Sequence, residues 1–271
     1  MRASYAKSYG RPDFTNIIAN TVTNEADVSD PSQIQGTLTT SNAGLKPWYA
    51  DNFDLSAEYY TKQGGVFSAG VYRKDITDFF GTFSKVATAA DLALLGFDSQ
   101  YENWMITTKI NAGDARITGA EFSINQSLEI LGGWGRYFKV FLNGTKLKLV
   151  SNSNLADFGY FLPASANWGF FMNKKPFTFR ANWNYRGWLK ASPQPTRGPD
   201  GFYYLKPAAP TLDASLDVQI RRTVFLFVNA KNVFATPIHH AMWGSETPVY
   251  AQRYSTQNFG VILTAGMRGS F

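Results

Sequence analysis

The groups in this 271-residue chain that could do chemistry are few, and their spacing limits what they can do. Its only histidines, His239 and His240, are adjacent. On an extended chain neighbouring side chains point to opposite sides, so the pair offers no shared metal site. Asp213 and Asp217 fall on one face of a strand, but four residues of strand separate them by roughly 13 Å, beyond the reach of a glycosidase carboxylate pair. There is no cysteine, hence no disulfide framework and no thiolate metal site. No GxSxG, HExxH or Walker pattern occurs. The expectation is a protein with no catalytic constellation, no metal and no cofactor.

What the chain does hold in quantity is rings. Aromatics make up 16% of it while charged residues make up only 17%, low for a soluble protein. Three clusters lie between the strand-like segments: Phe97, Tyr101 and Trp104; Phe202, Tyr203 and Tyr204; Trp243, Tyr250 and Tyr254. Rings supply flat apolar area that stacks on sugars, aryl chelates or corrin faces, so these nine residues are candidates for binding a solute. The alternative is that they pack the connections against one another. The net charge of +6 suggests nucleic acid, but the 26 lysines and arginines are scattered singly with no basic run. Solvated or interior-lining charge is the better account, and no nucleic-acid partner is expected.

The elements that must position these residues are strands. In FGVILTAGMRGSF, residues 259–271, Phe259, Val261, Leu263, Ala265, Met267 and Phe271 share one face with the neutral Gly269. Gly260, Thr264, Gly266, Arg268 and Ser270 share the other, with Ile262 the exception. That period of two marks a β-strand with one apolar side, longer than the usual 5–6 residues or so of soluble sheets. A long alternating strand closing on an aromatic is a feature of outer-membrane barrels.

Similar segments recur at 2–9, 52–59, 66–80, 115–128, 137–149, 163–172, 176–189, 212–220 and 223–233. Short turns join some of them, KQGG at 62–65, LGGWGR at 131–136, NKK at 173–175 and Arg221-Arg222; the other connections, 10–48, 81–114, 190–210 and 234–258 among them, are long. About ten strands with every second connection short predict an antiparallel transmembrane β-barrel, its outer face to outer-membrane lipid. No apolar run approaches the roughly 18 residues of a transmembrane helix, and a mean hydropathy of −0.22 suits a wall with one polar face. Alternation turns Glu121, Arg180, Arg186, Asp213 and Asp217 toward the interior, where they would meet water or an interior domain.

Five segments resemble, in order, the barrel of the TonB-dependent outer-membrane receptors: LKPWYADNFDLSAEYY (45–60), VFSAGVYRKDITDFF (66–80), GDARITGAEFSINQSL (113–128), LDASLDVQIRRTVFLFVNAKNVFATP (212–237) and GVILTAGMRGSF (260–271). Trp48 stands where the family often has glutamate. The resemblance implies a plugged 22-stranded barrel of a Gram-negative outer membrane. It would import a scarce solute, such as a siderophore, cobalamin, oligosaccharide or metal complex. Residues 1–271 would supply the ten or so C-terminal strands. The remaining strands, the plug and the segment that engages the TonB complex would precede Met1, where no signal peptide is legible. Phe271 and its strand would be the signal read by the barrel-assembly machinery. Two readings from other classes are a complete small barrel acting as an outer-membrane protease, with His239 and His240 its only candidates, and a soluble β-rich carbohydrate-binding protein.

Overall fold

The computed structural model describes residues 1–28, 30, 33–153, 158–194, 202–244 and 247–269. In chain order the elements begin with β1 (Arg2–Gly10), α1 (Phe14–Ile17), β2 (Thr21–Glu25), β3 (Gly36–Thr40), β4 (Trp48–Tyr60) and β5 (Val66–Val86). Next come α2 (Ala89–Leu95), β6 (Met105–Ser127), β7 (Phe138–Ser151), β8 (Ala164–Lys174) and β9 (Phe177–Arg186). The chain continues through β10 (Leu189–Gln194), β11 (Phe202–Lys206), β12 (Ala209–Arg221) and β13 (Val224–Lys231). It ends with β14 (Ile238–Trp243), β15 (Arg253–Gln257) and β16 (Ile262–Gly269).

Ten of these strands form one antiparallel meander in the order β1-β4-β5-β6-β7-β8-β9-β12-β13-β16. They match the ten strands expected from alternation, with shifted ends. Short turns close one end of the sheet. At 61–65 the Thr61 N–H donates to the Gly65 carbonyl (2.8 Å) and Gly64 takes φ 74°, a left-handed turn that glycine adopts without strain. The last short turn is Arg222-Thr223, one residue beyond the expected pair, because β12 keeps Arg221 opposite Val224. Phe271 lies outside the described residues, so its expected role in assembly meets no structural observation here.

The long connections are not irregular loops. Residues 10–48 hold α1 and a β2–β3 hairpin whose β3 runs parallel to the start of β6. Within 81–114, β5 continues to Val86 and β6 already begins at Met105. Residues 190–210 and 234–258 build a second, four-stranded sheet, β10-β11-β14-β15. All of this lies at the end of the main sheet opposite the short turns.

The pleat sorts the main sheet into two faces. Leu212 opposite Trp183, Leu216 opposite Val228 and Ala230 opposite Leu263 lie on the apolar one. It is open to its surroundings, with Leu263 and Met267 70% and 71% exposed. A continuous exposed apolar face suits lipid and not water. The polar face carries a ladder. Asn167 donates to Asn182 (2.9 Å) and Asn184 (2.5 Å), and Asn184 to Asp213 (3.5 Å).

Among the described residues a compact core lies beneath α2, where Leu38, Ala87, Leu92, Trp104 and Ile106 pack together. Thr88 and Asp91 form a reciprocal capping box at the helix start, and Gly96, at φ 74°, ends the helix. The Lys85 ammonium, then the Thr88 hydroxyl and N–H, hold the Asp91 carboxyl below its usual pKa. Its stabilising contribution is therefore present at neutral pH and lost as pH falls through that lowered value. Replacing Trp104 by alanine removes the largest ring of this core, a change that costs about 3–5 kcal/mol in packed interiors. Amide exchange across 88–96 should accelerate about a hundredfold or more in Trp104→Ala, with the meander unaffected. Unchanged protection would mean that the cluster does not hold α2.

Candidate functional site

The second sheet inherits the two-faced logic of its strands. Tyr204 stands opposite Met242, and Leu189 opposite Lys206, so these side chains share a face. Tyr203 stands opposite Trp243, and Leu205 opposite Ala241, on the reverse face. Long-range bonds fix the sheet's base. Asn232, at φ 53°, donates its side-chain amide to the Thr236 and Gly260 carbonyls (both 3.1 Å) and its backbone N–H to Asp213 (2.9 Å). That clamp ties the end of β13 to the chain entering β14 and β16.

On the first face lies a pocket of about 240 Å³ lined by Tyr160, Leu189, Ala191, Tyr204, Lys206, His240 and Tyr254. The Tyr204 and Tyr254 rings meet at 5.2 Å with a 54° tilt. Tyr160 arrives from the β7–β8 connection at φ 63°, its N–H bonded to the Lys190 carbonyl (2.8 Å). Three phenol rings, an ammonium and an imidazole around an apolar floor can hold a ring-bearing, anionic solute. They do not form an acid–base–nucleophile set. Two histidines that are neighbours in sequence end on different surfaces. His239 pairs its Nδ1 with the Thr256 hydroxyl (3.0 Å), while His240 lines the pocket.

The expected ring clusters are thus divided. Tyr204 and Tyr254 meet in the pocket. Tyr203 and Trp243 pair on the reverse face, where the Lys190 ammonium sits 3.4 Å from the Tyr203 ring centre. Tyr250 lies on the turn Val249–Ala251 and is fully open. Phe202 belongs to β11, and its side chain is outside the described ones. Phe97, Tyr101 and Trp104 are elsewhere: Tyr101 meets Trp104 edge-on at 5.0 Å, and Trp104 is only 8% exposed within the core under α2. For these three, packing against neighbours accounts for the rings.

The expected interior charges all fall on the polar face. Asp213 opposes Asn182, Ser215 opposes Arg180, and Asp217 opposes Thr178; Ser165 opposes Arg186 and Thr145 opposes Glu121. Asp217 receives Arg268 Nη2 at 2.9 Å across β13, and Arg186 donates to the Pro207 carbonyl at 3.1 Å. Of the pocket lining, sequence reasoning missed Tyr160, Leu189, Ala191 and Lys206. Alternation in FYYLK would have placed Tyr204 and Lys206 together, but nothing local points to Tyr160.

A ten-stranded antiparallel wall with one lipid-suited face, one polar face, short turns at one end and a structured cap at the other is the wall of an outer-membrane β-barrel. The chain belongs to the TonB dependent receptor-like β-barrel family, whose model matches residues 1–233. Among solved structures it is similar to a variant of the ferric enterobactin receptor PfeA from Pseudomonas aeruginosa in complex with enterobactin. That match has a TM-score of 0.66 at 13% identity and covers 99% of this chain and 38% of that one. The siderophore receptor PirA from Acinetobacter baumannii gives 0.63 at 15%, covering 99% and 38%. The copper transporter OprC gives 0.62 at 14%, covering 99% and 36%. The chain therefore spans little more than a third of these receptors. No curated protein matches the sequence.

Proposed function

We propose that this chain is part of the wall and outer cap of a Gram-negative outer-membrane receptor that takes up a scarce solute by TonB-dependent transport, a binding and transport role with no catalytic step. The family match supports the transport class. The tyrosine-lined pocket on the second sheet is the observation that carries the site, because it gathers Tyr160, Tyr204, Lys206, His240 and Tyr254 from four separate chain segments at the long-connection end. Glu121, Arg180, Arg186, Asp213 and Asp217 would then face the interior and meet water or the plug. The solved receptors similar to this chain are named for ferric enterobactin, a siderophore and copper. Three phenols, one ammonium and a single imidazole suit an aryl, anionic chelate better than a bare metal ion, which takes several imidazole, thiolate or carboxylate ligands together.

The test is to titrate the intact receptor with ferric catecholate chelates, cobalamin, maltodextrin and copper(II), then repeat with Tyr254→Ala and Lys206→Ala. Each variant should weaken the bound solute about five- to tenfold, the size of one ring contact or one partly exposed charge-assisted bond, while assembly stays intact. Affinities unchanged in both variants would remove the pocket from the binding surface.

A further inference from the structure

The two sheets are one wall, interrupted. The main sheet ends in the order β9-β12-β13-β16 and the second runs β10-β11-β14-β15, so each strand of the second continues the path of one in the first. The interruption falls at 187–188, 207–208, 232–237 and 258–261. Trp188, Phe234 and Phe259 stand in these gaps, each more than half exposed, as rings at a membrane–water boundary are. Such a boundary explains where the pairing stops. Hydrocarbon offers a broken strand no hydrogen-bond partner, whereas water does.

The four crossings are unequal. Residues 187–188 and 207–208 are short links, while 232–237 and 258–261 are longer. The short ones are pinned. Gly187 donates its N–H to the Ala164 carbonyl (2.8 Å), and a Cβ on Gly187 would stand only 2.8 Å from that same oxygen. Arg186 holds the neighbouring crossing through the Pro207 carbonyl (3.1 Å). Short, pinned crossings make a pivot, and long ones leave slack. What takes up the slack is Asn232. Its amide donates to the Thr236 and Gly260 carbonyls (both 3.1 Å), its side-chain oxygen accepts the Thr236 N–H (3.0 Å), and its own N–H reaches Asp213 (2.9 Å). One residue thus fastens both long crossings to β12. Asn232 and Ala235 take φ 53° and 51°, left-handed conformations that persist only where the surroundings enforce them.

The pocket spans this arrangement. Tyr160 comes from the β7–β8 connection and is bonded to the Lys190 carbonyl (2.8 Å) beside the pivot, where a swing of the second sheet moves it least. His240 and Tyr254 lie on β14 and β15, the strands farthest from the pivot, where a swing moves them most. We propose that Asn232 is the latch of a hinged outer wall: it positions His240 and Tyr254 against Tyr160 and so sets the affinity of the pocket without touching the solute. Asp213 anchors the latch and is a second positioning residue. Its other carboxylate oxygen takes the Asn184 amide of the polar-face ladder (3.5 Å), so the latch is tied to the interior side of the wall. This rests on the reading of the pocket as the solute site.

The experiment uses the intact receptor purified in neutral detergent and reads amide exchange with and without saturating iron(III) tris-catecholate. In the wild-type protein β14 and β15 should exchange together and faster than β13. Protection equal to that of β13 would overturn the hinge, and this arm needs no variant to fold. Asn232→Gly keeps the left-handed backbone and the N–H to Asp213 but removes the three side-chain bonds. Exchange in β14 and β15 should accelerate about tenfold or more, with β9, β12 and β13 unchanged. Affinity for the chelate should fall about threefold or more as the latched fraction falls. Saturating chelate should restore much of the lost protection, which a bond serving structure alone would not show. Asn232→Asp, unable to donate to the two carbonyls, should behave alike. Asn143→Ala, bonded to Ser123 on the polar face, should change nothing. Unchanged exchange in both Asn232 variants would overturn the latch. So would acceleration spread equally through β9, β12 and β13, or an unchanged affinity where β14 and β15 have loosened. Failure of the wild-type receptor to bind the chelate would count against the pocket reading alone, while exchange without chelate still decides the latch.

Discussion

Leu263→Arg is expected to reduce the folded receptor in the outer membrane to a small fraction of normal, whereas Thr264→Arg should leave most of it. The two positions are neighbours on β16, but the pleat sends them to opposite environments. Leu263 stands beside Ala230 on the apolar face and is 70% exposed, with no protein to cover a charge there. Thr264 stands beside Asn229 on the face that carries Arg268 and the Asn ladder. An arginine facing lipid near mid-bilayer costs about 2–4 kcal/mol, while interior positions tolerate it. That difference is about thirty- to a thousandfold in the assembly equilibrium. The readout is the heat-modifiable band in outer-membrane fractions. Equal yields of that band from the two variants would mean that β16 faces the other way, and the two-faced reading of the whole sheet would go with it.

The meander was legible because a wall with one lipid face and one polar face must write its pleat into the sequence. Leu212, Ala214, Leu216 and Val218 against Asp213, Ser215 and Asp217 is as clear a signal as a strand gives, and β12 forms there. The signal fails where both faces see similar surroundings. Beyond Ile76 the β5–β6 register shifts at Phe79 and Phe80, and Asp78 takes φ 59°, so the alternation loses phase while the strand runs on to Val86. β10 reads LKASPQ, with a proline, and β14 reads IHHAMW, and neither shows a clean apolar–polar alternation. Their pairing rests on partners such as Tyr203 and Trp243, distant in sequence and invisible to local pattern. α2 is a different case. Thr88, Asp91 and Gly96 carry a readable cap at each end, but a seven-residue helix, AADLALL, is too short for a period to stand out.

The candidate site was half legible for the same reason. Composition reported that the long connections hold too many rings for solvated chain. It could not report which rings meet, because stacking of Tyr204 on Tyr254 needs β11, β14 and β15 to pair first. Trp104 and Tyr204 look alike in sequence. One fills a core with Leu38 and Leu92, and the other lines an open pocket with Lys206.

The second large effect concerns the edges of the main sheet. Among the described residues β1 pairs only with β4, and β16 only with β13, so each presents one row of backbone N–H and C=O groups to no strand. In water such edges invite association; in hydrocarbon each unsatisfied group costs several kcal/mol, so an open sheet is not a stable spanning structure. Residues 1–271 refolded alone in detergent should therefore give no heat-modifiable monomer, and should instead associate through β1 and β16. The absence of native cysteine makes a direct test possible. Tyr5→Cys/Ala265→Cys places one thiol on each edge strand, and oxidation should give crosslinks between molecules and none within one. Adding the chain to strands that pair with both edges should restore a closed barrel. A compact monomer carrying the internal 5–265 disulfide would show instead that ten strands close on themselves, with β16 bonded to β1, and would favour the reading as a complete small barrel.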